Sequence, residues 1–255
     1  MRFGICAPIE YASIVHEAGA DYMECRVTDL QPLSPDHEVR DLLQVYKDSP
    51  IPIEAFNILL PSSMKLVGND VNWDEIDRYL STAMDRIGII GGKTVVFGCG
   101  GGRMCPDSFS KSDAEEQIIA FLRMIGGHAQ RNGVTVVIEA LSRTISNTIN
   151  SLTEAVLTAE ETAMNAVQIL ADLYHMRKDG EDFNHIVRYK DRIRHIHLSD
   201  QSMAPRTGNE VLNRFTDSIK RSGYDGRISI ECKLSDVESG GKAGISFLRN
   251  TFAND

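Results

Sequence analysis

The side chains with the clearest chemical potential gather in the stretch Arg192-Ile-Arg-His-Ile-His-Leu-Ser-Asp200. Its centre, Ile193 to Leu198, reads as a buried β-strand. Side chains alternate along a strand, so Ile193, His195 and His197 share one face and Arg194, Ile196 and Leu198 the other. Imidazole is a common metal ligand, and a second imidazole can hold the first in place. Taken alone, the pair fits two satisfied core histidines equally well, and the ends of the other strands must decide.

The elements that position these residues alternate along the whole chain. Strands are expected at Arg2–Ala7, Asp21–Arg26, Ile51–Asn57, Lys93–Gly98, Val134–Ala140, Val167–Asp172, Ile193–Leu198 and Arg227–Cys232. Helical patterns fall between them. Tyr11–Ala18 is short, and Ser34-Pro35 reads as an N-cap and first helical residue for a helix to about Lys47. Asn72 with Glu75 caps a helix whose Ile76, Tyr79, Leu80, Ala83, Met84 and Ile87 share a face. Ser112 with Glu115 opens a helix to about Gln130, and Ser151 with Glu154 opens another. A polar helix near Asp182–Tyr189, one marked by Leu212, Phe215 and Ile219, and one over Gly241–Thr251 complete the set. Strands alternating with helices imply parallel pairing through crossovers. Eight units of about 30 residues predict a single-domain α/β fold, a closed (β/α)8 TIM barrel. A doubly wound open sheet lacks support, since no GxGxxG follows the first strand.

In such a barrel the active site lies at the C-terminal ends of the strands. The second strand ends in Glu24, the third in Asn57, the fifth in Glu139, the sixth in Asp172 with His175 just beyond, the seventh in His197 and the eighth in Glu231. Four consecutive strands thus end in Glu139, Asp172, His197 and Glu231. An ionised carboxylate at the edge of a core is costly unless paired or bound to metal. Three carboxylates and one imidazole in register predict one divalent metal, with Mn2+, Mg2+ or Co2+ favoured and Zn2+ or Fe2+ also suited. Two loops add candidates. Leu59 to Asn72 is long enough for a lid or for a solvated excursion. Gly98-Cys-Gly-Gly-Gly-Arg103 either cradles an anion, with Arg103 adding charge, or is a tight turn.

Composition bounds the rest. The chain has 255 residues, 42% of them hydrophobic, enough for one large core. No segment approaches the roughly 20 apolar residues of a membrane span. The sequence from Met1 to Pro8 lacks the pattern of a signal peptide, and five cysteines without a CxxC pair suggest a reduced, cytoplasmic protein. A net charge of -9 disfavours nucleic acid as a partner.

These residues resemble the xylose isomerase-like TIM-barrel superfamily, the sugar phosphate isomerase/epimerase group. The matching motifs are Val136-Val-Ile-Glu139, Leu170-Ala-Asp-Leu-Tyr-His175, His195-Ile-His197 followed by Asp200, and Tyr224-Asp-Gly-Arg-Ile-Ser-Ile-Glu231. The stretch Val96 to Arg103 and the segment Asn57 to Pro61 also look similar, so the resemblance covers nearly the whole chain. It implies Glu139, Asp172, His197 and Glu231 as metal ligands, with Glu139 and Glu231 as acid and base. It implies His175 at the substrate or orienting a carboxylate, and His195 beneath His197 as support. Glu24 and Asn57 become substrate contacts or structural rim residues. The implied substrate is a small carbohydrate, whose α-proton is removed to give a metal-stabilised enediolate. Homo-oligomers are also implied.

The chain departs from the ketose epimerases of that group in two places. Met203 stands where they have an arginine, with Arg206 displaced along the loop as a replacement. Ile145 stands where they have a substrate-binding glutamate. These departures count against a free-ketose 3-epimerase and leave a different polyol, keto acid or phosphorylated sugar open within the wider expectation of a keto sugar, sugar phosphate or polyol, with Arg103 and Arg143 available to an anionic substrate. An inosose-type dehydratase is the main alternative to an isomerase or epimerase. An apurinic endonuclease-like hydrolase and a non-catalytic sugar-binding barrel come behind it.

Overall fold

In the computed structural model, which describes residues 1–253, eight parallel strands follow one another round a closed barrel. They are β1 (Arg2–Cys6), β2 (Tyr22–Arg26), β3 (Ile53–Asn57), β4 (Thr94–Phe97), β5 (Thr135–Glu139), β6 (Val167–Asp172), β7 (Ile193–Leu198) and β8 (Arg227–Ile230). β1 closes on β8, with Phe3 opposite Ile228 and Ile5 opposite Ile230. The helices are α1 (Ala12–Glu17), α2 (Asp36–Lys47), α3 (Trp73–Ile90), α4 (Lys111–Arg131), α5 (Leu152–Thr162), α6 (Leu173–Lys178), α7 (Asn184–Arg188), α8 (Glu210–Ser222) and α9 (Leu234–Phe252). Strand and helix burying their apolar faces against each other form the main core, from Ile5 and Phe56 to Ile230 and Leu248.

The inside of the barrel is a separate layer and is divided in kind. On one side Val96, Val137 and Leu170 make a small apolar cluster. On the other, buried polar groups are satisfied by one another. The Tyr22 hydroxyl meets Ser229 Oγ at 2.8 Å, and Ser229 Oγ donates to Glu24 Oε2 at 2.6 Å. At the N-terminal end, Glu54 accepts from Arg2 and Arg227 and ties β1, β3 and β8 together.

Most differences from the sequence reading lie in the helices. The helix over 111–131 is capped by Ser110, which accepts from Asp113 N–H, and not by Ser112. Pro35 occupies the cap position of α2 and Ser34 makes no capping bond. Two helices, α6 and α7, follow β6 where one was expected, because Asp172 itself caps α6 by accepting from His175 N–H at 2.7 Å. α9 begins at Leu234, well before Gly241. Its glycines are not a turn but a close contact: a β-carbon on Gly244 would lie 2.7 Å from Ile230 Cδ1. The long segment after β3 is anchored to the barrel and not a free lid, although Ser62, Ser63, Lys65, Asn69 and Asp70 along it are exposed. Leu59, Leu66 and Val67 are buried, Tyr79 donates to the Leu59 carbonyl, and Leu66 N–H donates to the Gly102 carbonyl. Among the described residues, no helix is long and apolar enough to cross a membrane.

Candidate metal centre and active site

Parallel strands place all their C-terminal ends on one face, so β5, β6, β7 and the residue just after β8 deliver Glu139, Asp172, His197 and Glu231 to one place. One donor atom from each lies within 4.8 Å of the others. His197 Nδ1 is 3.1 Å from Glu231 Oε2, 3.3 Å from Glu139 Oε1 and 3.9 Å from Asp172 Oδ2. Glu139 and Asp172 are buried, while the Glu231 side chain is 46% exposed. Gly98, one residue past β4, makes room for this arrangement. A β-carbon there would come 2.6 Å from Glu139 Oε2.

The charges show what the cluster needs. Burial and the neighbouring charges of Glu139 and Glu231 push the Asp172 carboxyl well above its ordinary value. Burial opposes a charge on His197, but the carboxylates of Glu24 and Glu231 outweigh it and hold the imidazole well above its usual value. Asp172 and His197 are thus pushed toward their protonated forms, while burial of Glu139 is outweighed by His197, which holds that carboxyl below its ordinary value. A divalent cation preferring oxygen and imidazole donors fits that set.

Glu24 is not on the rim. It is fully buried below the cluster, and three groups donate to its carboxylate: His197 Nε2 at 2.9 Å, His195 Nε2 at 2.8 Å and Ser229 Oγ. Burial acts against its ionisation, but the two histidines hold its pKa well below the ordinary value. This carboxylate holds a proton on His197 Nε2, so when the ring loses its other proton the lone pair is left on Nδ1, the atom that faces Glu139, Asp172 and Glu231. His195 lies under His197, its ring 5.1 Å away and edge-on, and acts on it through Glu24.

His175 is also held in a defined tautomer. Its Nδ1 accepts from Ser142 N–H at 3.2 Å, and burial lowers its pKa, so a neutral ring presents Nε2–H. Asn57 ends β3 and, two residues beyond Ala55, shares the inward face set by the pairing of Ala55 with Glu24.

The three expected arginine contacts are committed elsewhere. Arg103 is fully buried. Its Nη2 donates to the carbonyls of Glu139 at 2.9 Å and Ile149 at 3.4 Å, and its guanidinium lies 5.3 Å from the Phe97 ring. Burial lowers its pKa to about 10. Arg103 therefore pins the backbone at the end of β5 and is closed off from the mouth. Nor is the glycine run an open anion cradle, because Gly102 and Arg103 N–H both turn back onto the Cys99 carbonyl. Arg206 is paired with Asp236 in the first turn of α9, which also accepts from Ala204 N–H at 2.7 Å. Arg143 is paired with Asp179.

Sequence reasoning missed Cys6, Ser229 and Ser142. Cys6 ends β1, and its thiol lies with Glu24 and His197 in a second tight group. Burial and the Glu24 charge push its pKa well up, so it is a neutral thiol there. Alternation from Glu231 back to Ser229 marks the serine as inward. No local signal marks Ser142, because its part is played by a backbone N–H.

Among the described residues, six of the seven non-glycine residues with positive φ lie on strand-to-helix connections at this face: Gln31, Ile58, Cys99, Ile149, Gln201 and Ser202. Backbone strain of this kind collects at functional sites.

A family model, the xylose isomerase-like TIM barrel, matches residues 12–251, and the chain belongs to that family. The 3-dehydro-D-guloside 4-epimerase of Escherichia coli (strain K12) is 24% identical over 165 residues, covering 62% of this chain and 63% of that protein. Matches to curated relatives span less than two thirds of those relatives' length. Among solved structures, an L-ribulose 3-epimerase superposes with a TM-score of 0.84 at 19% identity, covering 99% of this chain and 94% of that one. An IOLI protein with a bound zinc atom superposes with a TM-score of 0.73 at 16% identity, covering 99% of this chain and 98% of that one. At these identities the superpositions establish the shared fold.

Proposed function

We propose that this chain is a divalent-metal-dependent isomerase or epimerase of a small carbohydrate. The observation that carries the reading is the convergence of Glu139, Asp172, His197 and Glu231 from four consecutive strand ends. The epimerase names of similar proteins support the substrate class, and the zinc-bound relative supports the use of a metal. These four residues would hold the cation, with Mn2+ the first choice for a mostly oxygen donor set and Mg2+, Co2+, Zn2+ or Fe2+ as alternatives. When bound, the cation supplies Lewis-acid stabilisation of negative charge on the substrate oxygens.

The protein residues move the protons. One of Glu139 and Glu231 removes the proton next to the substrate carbonyl. The other returns a proton to the opposite face for epimerisation, or one is delivered to the adjacent carbon for aldose–ketose isomerisation. His175 Nε2–H donates to a substrate hydroxyl, and Ser142 N–H fixes that ring's direction. Glu24 keeps the His197 lone pair on Nδ1. The five cysteines are free, in keeping with a cytoplasmic enzyme.

The test is a panel of keto sugars and keto-glycosides incubated in D2O with metal-loaded protein. Deuterium enters next to the carbonyl with wild type, and exchange falls by about 10²–10⁴ in Glu139→Gln and Glu231→Gln. Loss of water from the substrate would assign a dehydratase instead, and no exchange on any substrate would remove the reading.

A further inference from the structure

A cavity of about 290 Å³ opens between α6 and the turn that follows β7, lined by Leu173, Tyr174, Arg177, Lys178, Ser199 and Gln201. Its wall carries two cations and no carboxylate, in a chain whose net charge is -9. The other polar groups are a phenol, a hydroxyl and a carboxamide, each able to donate a hydrogen bond. None of these five polar side chains has a hydrogen-bond or ion-pair partner among the described residues. Asp179, the carboxylate next in sequence to Lys178, is taken by Arg143, which donates to it from both its guanidinium and its backbone N–H.

Basic residues in the last turn of a helix are ordinary, since they face its free carbonyls. That reading accounts for Arg177 and Lys178 on the six-residue α6, but not for Ser199. Ser199 is only 6% exposed and forms part of the cavity wall. A hydroxyl buried to that degree normally has a partner inside the protein. This one has none among the described residues, and its open side is the cavity. Gln201 is held at the cavity by a turn of its own. With Ser202 it occupies the two central positions, at φ of 51° and 68°. Asp200 N–H donates to the Met203 carbonyl at 2.8 Å, and Met203 N–H donates back to the Asp200 carbonyl at 2.9 Å. Asn-Gly adopts such a turn with less strain, so Gln-Ser keeps a longer amide at the cavity at some backbone cost.

We propose that this cavity binds a phosphate group, with Arg177 and Lys178 balancing its charge and Ser199 and Gln201 donating to its oxygens. A phosphate monoester carries about -1.5 to -2 charge at pH 7, which two cations match better than they match the single charge of a carboxylate. The guanidinium fork of Arg177 suits two phosphate oxygens at once. The cavity adjoins the donor cluster. Asp172 caps α6, the Tyr174 ring meets His175 edge-on at 5.2 Å, and Ser199 stands two residues past His197. The inference does not depend on the reaction proposed above. The phosphate belongs to the substrate or to a separate effector, and the two sources are told apart below.

Calorimetry titrates inorganic phosphate into metal-loaded protein at low ionic strength. One equivalent is expected to bind saturably, with affinity lowered about tenfold or more in Arg177→Ala and in Ser199→Ala. Arg177 is exposed, so its alanine variant keeps the wild-type Tm. Phosphate can also ligate a bound cation, so the titration is repeated on His197→Ala, where binding persists. Binding lost in His197→Ala and kept in Arg177→Ala puts the phosphate on the metal centre and overturns the proposal. Absence of saturable binding, or equal affinity for chloride, also overturns it. Deuterium exchange is then followed for D-fructose and D-fructose 6-phosphate. A kcat/KM at least about tenfold higher for the ester, with that preference lost in Arg177→Ala, assigns the site to the substrate. Equal values for both, with inorganic phosphate changing KM for D-fructose in wild type but not in Arg177→Ala, assign it to an effector. No exchange with either sugar counts against the reaction, while phosphate binding weakened in Arg177→Ala still upholds the site.

Discussion

Replacing Glu24 by glutamine keeps size and shape but leaves one oxygen and one NH2 where three donors now converge on a carboxylate. Suppose the amide oxygen faces His195 and Ser229. The NH2 then faces His197 Nε2, which must give up its proton to accept. The imidazole proton moves to Nδ1, the atom 3.1 Å from Glu231 and 3.3 Å from Glu139, where a cation needs a lone pair. With the amide reversed, His195 must carry its proton on Nδ1, which is buried and has no partner among the described residues. That orientation costs about 1–3 kcal/mol of stability for an unsatisfied donor. Groups that orient a metal-bound histidine are worth about 10–100-fold in affinity, or about 1.4–2.7 kcal/mol. Calorimetric titration of chelator-treated Glu24→Gln with Mn2+ is therefore expected to show affinity lowered by that factor, and urea unfolding to show a lower midpoint. Affinity within twofold of wild type, with an unchanged midpoint, would refute the claim that Glu24 holds His197.

Other outcomes follow from the same contacts. In Arg103→Lys an ammonium cannot reach both the Glu139 and Ile149 carbonyls while stacking on Phe97, so urea unfolding should show a loss of about 1–3 kcal/mol. Asp236 is buried, which by itself would raise its pKa, but Ala204 N–H, the Ser239 hydroxyl and Arg206 lower it. A depressed carboxyl contributes stability above its unfolded value of about 4, and that contribution is lost as pH falls through the folded value. Asp236→Asn is thus expected to melt below wild type at pH 7, with the Tm difference shrinking below about pH 4. A Tm difference that stays constant down to pH 2.5 would argue against the effect.

The strand framework was legible because a parallel barrel strand is buried on both faces and stands out as an apolar run. β6 and β7 match their expected bounds, and the other strands end within two residues of theirs. Since the fold gathers strand ends on one face, naming the last polar residue at the ends of β5 to β8 was enough to find the four side chains that converge there. Where backbone groups decide, the sequence was silent. Nothing in Gly98 to Arg103 announces that two of its N–H groups turn onto Cys99, or that the arginine runs inward to carbonyls. Glu24 was legible as a strand-end carboxylate, but its depth was not. Only the meeting of β2 with β7 and β8 across the barrel shows it beneath the histidines. α9 was misplaced because glycines that permit close packing on Ile230 look like turn residues in a sequence.

The most direct test of the central claim is metal binding by chelator-treated protein. Calorimetry with Mn2+ and then Zn2+ is expected to show one equivalent per chain in the wild type and none in His197→Ala, with circular dichroism confirming that the variant stays folded. No binding to wild type, or equal binding to a folded His197→Ala, would contradict the claim that Glu139, Asp172, His197 and Glu231 form a metal centre.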